Sequence, residues 1–183
     1  KICIPSAKKV CCNFPETLEY LPKDKAILTG SPIRQELLQG DRLSGLKYAH
    51  LSAEKPVLLV IGGSLGSVIV NHAVREILTQ LLEQFQIIHI CGKGNVDESL
   101  IGIPGYVQYE YVDSPLRHLF AAADLVISRA GANSICEILA LRKPNVLIPL
   151  SAAASRGDQI LNANSFAKQG FSTVLEEEVL TPD

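Results

Sequence analysis

The sequence is defined first by what it lacks. It contains no stretch of roughly 18 consecutive apolar residues, so no segment reads as a membrane-spanning helix. Aromatic residues make up only 5% of the chain, no basic cluster alternates with them, and the net charge is −2, which together argue against a nucleic-acid-binding surface. The five cysteines, Cys3, Cys11, Cys12, Cys91 and Cys136, show no C-x-x-C spacing with matching histidines. An odd number without that spacing reads as reduced thiols rather than a disulfide framework or a zinc site. No signal peptide is visible. The first residue is Lys1 rather than methionine, and the chain opens directly on "KICIP", which reads as a fragment of something longer.

What is present is ordinary for a globular domain: 183 residues, 47% hydrophobic and 20% charged. Apolar runs alternate with helical patterns, which predicts an α/β fold with a mostly parallel sheet. Strands are expected at 26–29, 57–61, 87–91, 107–111, 125–128 and 145–149, with a short one at 172–175. Several of these are continuously apolar, as strands covered on both faces are. Helical stripes fall between them. Val70, Ala73, Val74, Ile77, Leu78 and Leu81 form one. Leu116, Leu119, Phe120 and Ala123 form the next, after Ser114-Pro115. Ile135, Ile138 and Leu139 form a third, and Ile160, Ala163 and Ala167 a fourth, stopped by Gly170. Residues 40–56 read as a loop or weak helix. The first 30 or so residues, rich in proline, read as an edge strand and a linker from a preceding segment.

Three loops carry chemistry. In "VLLVIGGSLGSVIVN" a strand runs into glycines and then a helix. Glycine permits positive φ and close backbone approach, and the first amides of a helix have no internal partner and favour anions. Ser64 adds a hydroxyl donor. No lysine follows as a P-loop requires. The dinucleotide pattern is also broken, reading Gly62-x-Ser64-x-x-Ser67, and "HICGKGN" places Lys93 where an acid would hold a ribose. In "LVISRAGANSICEILAL" the bend recurs at Ala130-Gly131-Ala132. Glu137 there either complements the helix dipole or accepts hydrogen bonds from ribose hydroxyls. In "IPLSAAASRGDQILNANSF", Asp158 reads as an N-cap. Gln159 and Asn162 sit three apart, suited either to a solvated helix start or to sugar hydroxyls. All three loops leave the carboxyl ends of strands, where α/β sheets bind ligands. Together they offer a phosphate cradle, a ribose acceptor and sugar-reading amides, the inventory for a nucleotide sugar.

In order, "GGSLGS" with Asn71, "SRAGANSICE" and "ASRGDQILNA" resemble the C-terminal domain of the MurG family of bacterial glycosyltransferases. The likeness runs from about "TGSPIRQEL" to the C-terminus. It implies a Rossmann-like doubly wound parallel sheet, the C-terminal half of a two-domain GT-B enzyme. Residues 1–30 would end the preceding domain and 31–183 would form the donor-binding domain. It also implies that Arg34 and Ser64 contact the diphosphate region and that the backbone near Val112 recognises uracil. Ala132, Asn133, Ser134, Ile135, Cys136 and Glu137 would wrap the diphosphate, ribose and sugar, with Glu137 on the ribose hydroxyls. Gln159, helped by Asn162, would read the sugar. Ser67 departs from the alanine usual there, and Asp158 falls at a variable position.

The family's donor is UDP-N-acetylglucosamine and its acceptor the lipid-linked muramyl-pentapeptide, reached through an N-terminal domain at the cytoplasmic face of the membrane. No cofactor is implied, and no nucleic acid. No catalytic residue is assigned within this chain. His72, the one histidine close to a motif, falls on the polar face of its helix. The sequence has no Asp-x-Asp triplet to hold a metal. Glu176-Glu177-Glu178 reads as an exposed run. A UDP-N-acetylglucosamine 2-epimerase-like enzyme and a non-catalytic nucleotide-sugar binding module are the alternative readings.

Overall fold

A computed structural model describes residues 3–63 and 66–180. Strands β1 (Val10–Cys12) and β2 (Ala26–Leu28) pair parallel in a small separate sheet. The expected edge strand is therefore not an edge of the main sheet. Its segment is anchored on the body of the protein by Phe14, whose ring meets Phe166 edge-on at 6.1 Å, and by Glu16, which accepts from Ser165 Oγ at 3.0 Å.

The main sheet contains β3 (Val57–Ile61), β4 (Gln86–Ile90), β5 (Tyr106–Tyr109), β6 (Leu125–Ser128), β7 (Asn145–Leu147) and β8 (Thr173–Val174). Every pairing is parallel, in the order β5-β4-β3-β6-β7-β8. Chain order reverses direction between β3 and β6, which makes that junction the switch point where such sheets open a crevice.

The apolar runs that predicted these strands serve both faces of the sheet. Leu58, Val60 and Ile87 pack on one side with Val70, Val74 and Leu78 of the helices α2 (Val68–Glu76) and α3 (Leu78–Gln84). Val57, Leu59, Ile88 and Val126 pack on the other with Leu46, Leu119, Phe120 and Ile138. The latter come from α1 (Arg42–Tyr48), α4 (Leu116–Ala122) and α5 (Ala132–Ala140). Burial of each large aliphatic side chain contributes about 1.5–3 kcal/mol. This double layer is the main source of the sheet's stability.

Two local expectations are resolved by the structure. Residues 40–56, read as a loop or weak helix, contain the short helix α1, started by Asp41, whose carboxylate accepts from Ser44 N–H at 2.7 Å. Gly45 weakens its helical signal, yet a Cβ there would lie 2.1 Å from the His118 carbonyl oxygen, so glycine is what lets α1 lie against α4. The single stripe expected from Val70 to Leu81 breaks at Ile77 (φ −104°, ψ 17°) into α2 and α3. The last helix, α6 (Asp158–Lys168), packs Ala163 and Phe166 against Ile135 and Leu147.

Candidate functional site

The cleft lies at the carboxyl ends of β3 and β6 and has two compartments. The wide one, about 740 Å³, is bordered by Gly62, Gly63 and Gly66, by Arg129, by Ala132, Asn133 and Ser134, and by Gln159. The narrow one, about 200 Å³, lies between Arg34, Tyr111, Val112, Ser134 and Glu137. Gly63 and Ser134 border both.

The glycine turn after β3 is shaped by what lies behind it. Gly66 has φ +74°, and a Cβ on it would fall 1.9 Å from the Cys91 carbonyl oxygen. Only glycine meets both conditions. That same carbonyl accepts from Asn71 Nδ2 at 2.9 Å. Asn71 Oδ1 lies 3.0 Å from His89 Nε2, and His89 Nδ1 lies 2.9 Å from the Tyr106 hydroxyl. Because a carbonyl only accepts, the Asn71 amide is oriented with its oxygen toward His89, and Nε2 must carry the proton. The Tyr106 hydroxyl then donates to Nδ1. Burial drives the His89 pKa down to about 3, with the nearby Arg75 charge adding to the effect, so the ring is neutral. The same burial pushes Tyr106 up to about 12.

Ser67 starts α2, its Oγ accepting from Val70 N–H at 3.3 Å, so the departure from alanine supplies a cap. The other two helix starts differ. Gly131 precedes α5 and Gly157 (φ +79°) precedes α6, and neither start has a side-chain cap. At α5 this leaves first-turn amides at the border of the wide compartment without side-chain partners among the described residues, a setting suited to an anion. The cap at α6 is thus Gly157 rather than Asp158, which instead borders a separate groove facing Phe14 and Tyr20.

The expected residues divide. Ala132, Asn133, Ser134 and Gln159 border the wide compartment and Val112 the narrow one. Ser64 lies outside the described residues. Ile135 and Cys136 turn into the core with Leu147 and Ala163, so only their backbone is at the disposal of the cleft. Burial holds the Cys136 thiol above its ordinary pKa. Asn162 is also withdrawn: its Nδ2 donates to Ala130 O at 3.0 Å, tying α6 to the turn after β6. Gln159 Oε1 accepts from Leu150 N–H at 3.1 Å, which leaves the amide NH₂ as the group with capacity to spare.

Arg34 and Glu137 meet each other. Arg34 Nε lies 3.0 Å from Oε1 and Nη2 3.3 Å from Oε2, with the arginine side chain 58% exposed and the glutamate 16%. The carboxylate raises the guanidinium pKa further above its ordinary value. Arg34 therefore stands over the narrow compartment, which Gly63 of the glycine turn also borders. Glu137 is the sixth residue of α5, beyond the first turn, which removes the dipole reading.

Two functional candidates escaped the sequence reading. Arg129 and Glu177 border the wide compartment, are only 8% and 7% exposed, and form an ion pair. Glu177 is thus a buried residue at the start of a short 3₁₀ segment (Glu177–Leu180), not part of an exposed run. Arg129 had a signal, as a charge between a buried strand and a glycine bend. Glu177 had none. His72 is exposed and lies 3.4 Å from Glu76, as its place on the polar face implied.

A parallel sheet with its switch point between β3 and β6, opening on a cleft flanked by a glycine turn and helix N-termini, defines a Rossmann-like domain. The profile of the glycosyltransferase family 28 C-terminal domain matches residues 57–183, and the chain belongs to that family. It is 66% identical over 181 residues to a UDP-N-acetylglucosamine–N-acetylmuramyl-(pentapeptide) pyrophosphoryl-undecaprenol N-acetylglucosamine transferase of Lachnoclostridium phytofermentans, covering 99% of this chain and 51% of the relative. It is 62% identical over 183 residues to the protein of the same name from Lachnospira eligens, covering 100% and 52%. The chain thus spans about half the length of the curated relatives it matches. The crystal structure of Acinetobacter baumannii MurG superposes with a TM-score of 0.68 at 27% identity, over 96% of this chain and 49% of that one. The glycosyltransferase of kitacinnamycin superposes with a TM-score of 0.71 at 21% identity, over 96% and 44%, a likeness of fold alone.

Proposed function

We propose that this chain is the sugar-nucleotide-binding half of a glycosyltransferase that uses UDP-N-acetylglucosamine. The observation that supports this most directly is the pair of joined compartments sharing Gly63 and Ser134. The narrow one suits a nucleoside, with Val112 beside the base and Glu137 accepting from the ribose diol. The wide one suits a diphosphate and hexose, with the amides of α5 on the phosphates and Gln159 on the sugar. The names of the relatives supply the particular donor and acceptor: N-acetylglucosamine would pass to an undecaprenyl-pyrophosphoryl muramyl-pentapeptide.

In the whole protein, the acceptor hydroxyl would attack the anomeric carbon from the face opposite the leaving group. The C–O bond to the β-phosphate breaks as the new glycosidic bond forms, with inversion, and UDP departs. Negative charge grows on the diphosphate in that step. The first amides of α5, at the border of the wide compartment, would stabilise it without reorganisation. A single helix terminus contributes up to about 2 kcal/mol, whereas micromolar binding needs about 8 kcal/mol, so the loops must act together. The acceptor, the proton-accepting base and the site at the inner membrane face would be supplied with the remaining half. Among the described residues no helix is long and apolar enough to cross a membrane.

Calorimetric titration of the chain tests this reading. UDP-N-acetylglucosamine and UDP should bind, NADH should not, and the sugar nucleotide should be recovered neither hydrolysed nor epimerised. Preference for NADH, or no heat with any uridine nucleotide, would overturn it.

A further inference from the structure

An arginine bordering a cleft that suits a diphosphate invites assignment as a phosphate ligand. The hydrogen bonding of Arg129 says otherwise. Nη1 donates to the carbonyls of Ile148 at 3.3 Å and Pro149 at 3.2 Å. Nη2 donates to Ser67 Oγ at 2.6 Å and pairs with Glu177. The four terminal N–H groups of a guanidinium are matched by four protein acceptors, leaving only Nε–H. Its charge is matched as well, because Glu177 is buried beside it.

We infer that Arg129 is a positioning residue that staples the three loops of the cleft to one another and to the segment following β8, rather than a group that grips the ligand. Each partner belongs to a different part of the rim. Ser67 is the cap of α2 and ends the glycine turn after β3. Ile148 and Pro149 begin the loop after β7. Arg129 itself opens the turn after β6. Glu177 brings in the 3₁₀ segment, which packs against α2. No other side chain bordering the cleft makes described hydrogen bonds to all of these segments. A planar fork with fixed donor directions suits this work, which a lysine's single ammonium cannot reproduce.

The arrangement has an electrostatic corollary. The two arginines that border the cleft among the described residues, Arg34 and Arg129, are each paired with a glutamate. Attraction for an anion therefore falls to backbone amides, whose aim depends on how the loops are set, and setting them is the role assigned to Arg129.

The inference rests on the donor-site reading for its binding arm only. In the first arm, Arg129→Lys and Arg129→Gln are titrated with UDP and with uridine. Arg129 borders the wide compartment and not the narrow one, so UDP affinity should fall at least fivefold in Arg129→Lys, and further in Arg129→Gln, while uridine affinity stays within twofold. The second arm needs no ligand. Amide exchange of Val70, bonded to Ser67 Oγ, and of Leu150, bonded to Gln159, should rise at least tenfold in Arg129→Lys, with β3 and β4 unchanged. Lysine keeps the buried charge paired with Glu177, so this variant is informative even where Arg129→Gln fails to fold. Wild-type UDP affinity in Arg129→Lys, a parallel loss of UDP and uridine, or unaltered exchange at Val70 and Leu150 would each overturn the inference. Failure of the unmodified chain to bind UDP would instead count against the donor-site reading, with the exchange arm still deciding on the staple.

Discussion

Asn71 Oδ1 and His89 Nε2, 3.0 Å apart in the interior, settle each other's chemistry. The asparagine sits on the helix that leaves the glycine turn, and the histidine on the neighbouring strand β4. Through Asn71 Nδ2 the chain of hydrogen bonds ends on the Cys91 carbonyl, the atom against which Gly66 is pressed. Asn71→Ala would leave the Nε2–H of His89 without its acceptor and one donor to Cys91 O missing. Each buried polar group stranded in this way costs about 1–3 kcal/mol. Urea denaturation should show the variant less stable by about 2–4 kcal/mol, with an unchanged m-value.

The same histidine makes stability depend on pH. Its pKa is about 3 in the folded chain, against the ordinary histidine value of 6.5. Between those values the unfolded chain binds a proton that the folded chain does not, so stability rises with pH. The His89 contribution is complete above about pH 6.5 and is lost as pH falls toward 3, with a slope of up to about 1.4 kcal/mol per unit. Urea midpoints measured from pH 7 to 4.5 should fall accordingly, and less steeply in His89→Gln, which has no proton to gain.

Gly66→Ala should be among the most damaging single changes. The added methyl group meets positive φ and the Cys91 carbonyl at once, and that carbonyl belongs to backbone that cannot swing aside. A loss of about 2–4 kcal/mol is expected from strain and displacement together. UDP binding should fall below detection by calorimetry. Gly94→Ala provides the control: its φ is +73° with no atom within 4 Å of the added methyl, so it should be strained but not crowded.

Glu137→Gln should separate binding from stability. The pair with Arg34 is largely open to water on the arginine side, and such pairs contribute about 0–1 kcal/mol. The melting temperature should therefore barely move. Affinity for UDP should drop about tenfold, equivalent to about 1.4 kcal/mol, because the neutral amide is a weaker acceptor for a ribose diol. Equal affinity in the variant would overturn the proposed role of Glu137 as an acceptor for the ribose diol.

The strands at the switch point were readable from the chain because their physics is local. Residues 57–61 and 125–128 are short, largely apolar runs followed by glycine-containing turns, and β3 and β6 occupy those bounds. The class of helix and loop around them follows from the same periodicity, as does the meeting of three loops at one rim. Side-chain direction near the rim was harder. Successive residues on a helix point about 100° apart, so Ile135 and Cys136 turn into the core while Ser134 and Glu137 stay at the cleft.

Composition and spacing along the chain thus specify a parallel α/β sheet and where its ligand edge lies, since hydrophobic period and glycine punctuation act over a few residues. They do not specify that Arg129 meets Glu177, that Asn162 serves a backbone carbonyl, or that Arg34 closes on Glu137. Those partners are 48, 32 and 103 positions apart. A charged or amide group takes whichever acceptor folding delivers to it. Such pairings are set by long-range packing of the loops, once water has been excluded from around them.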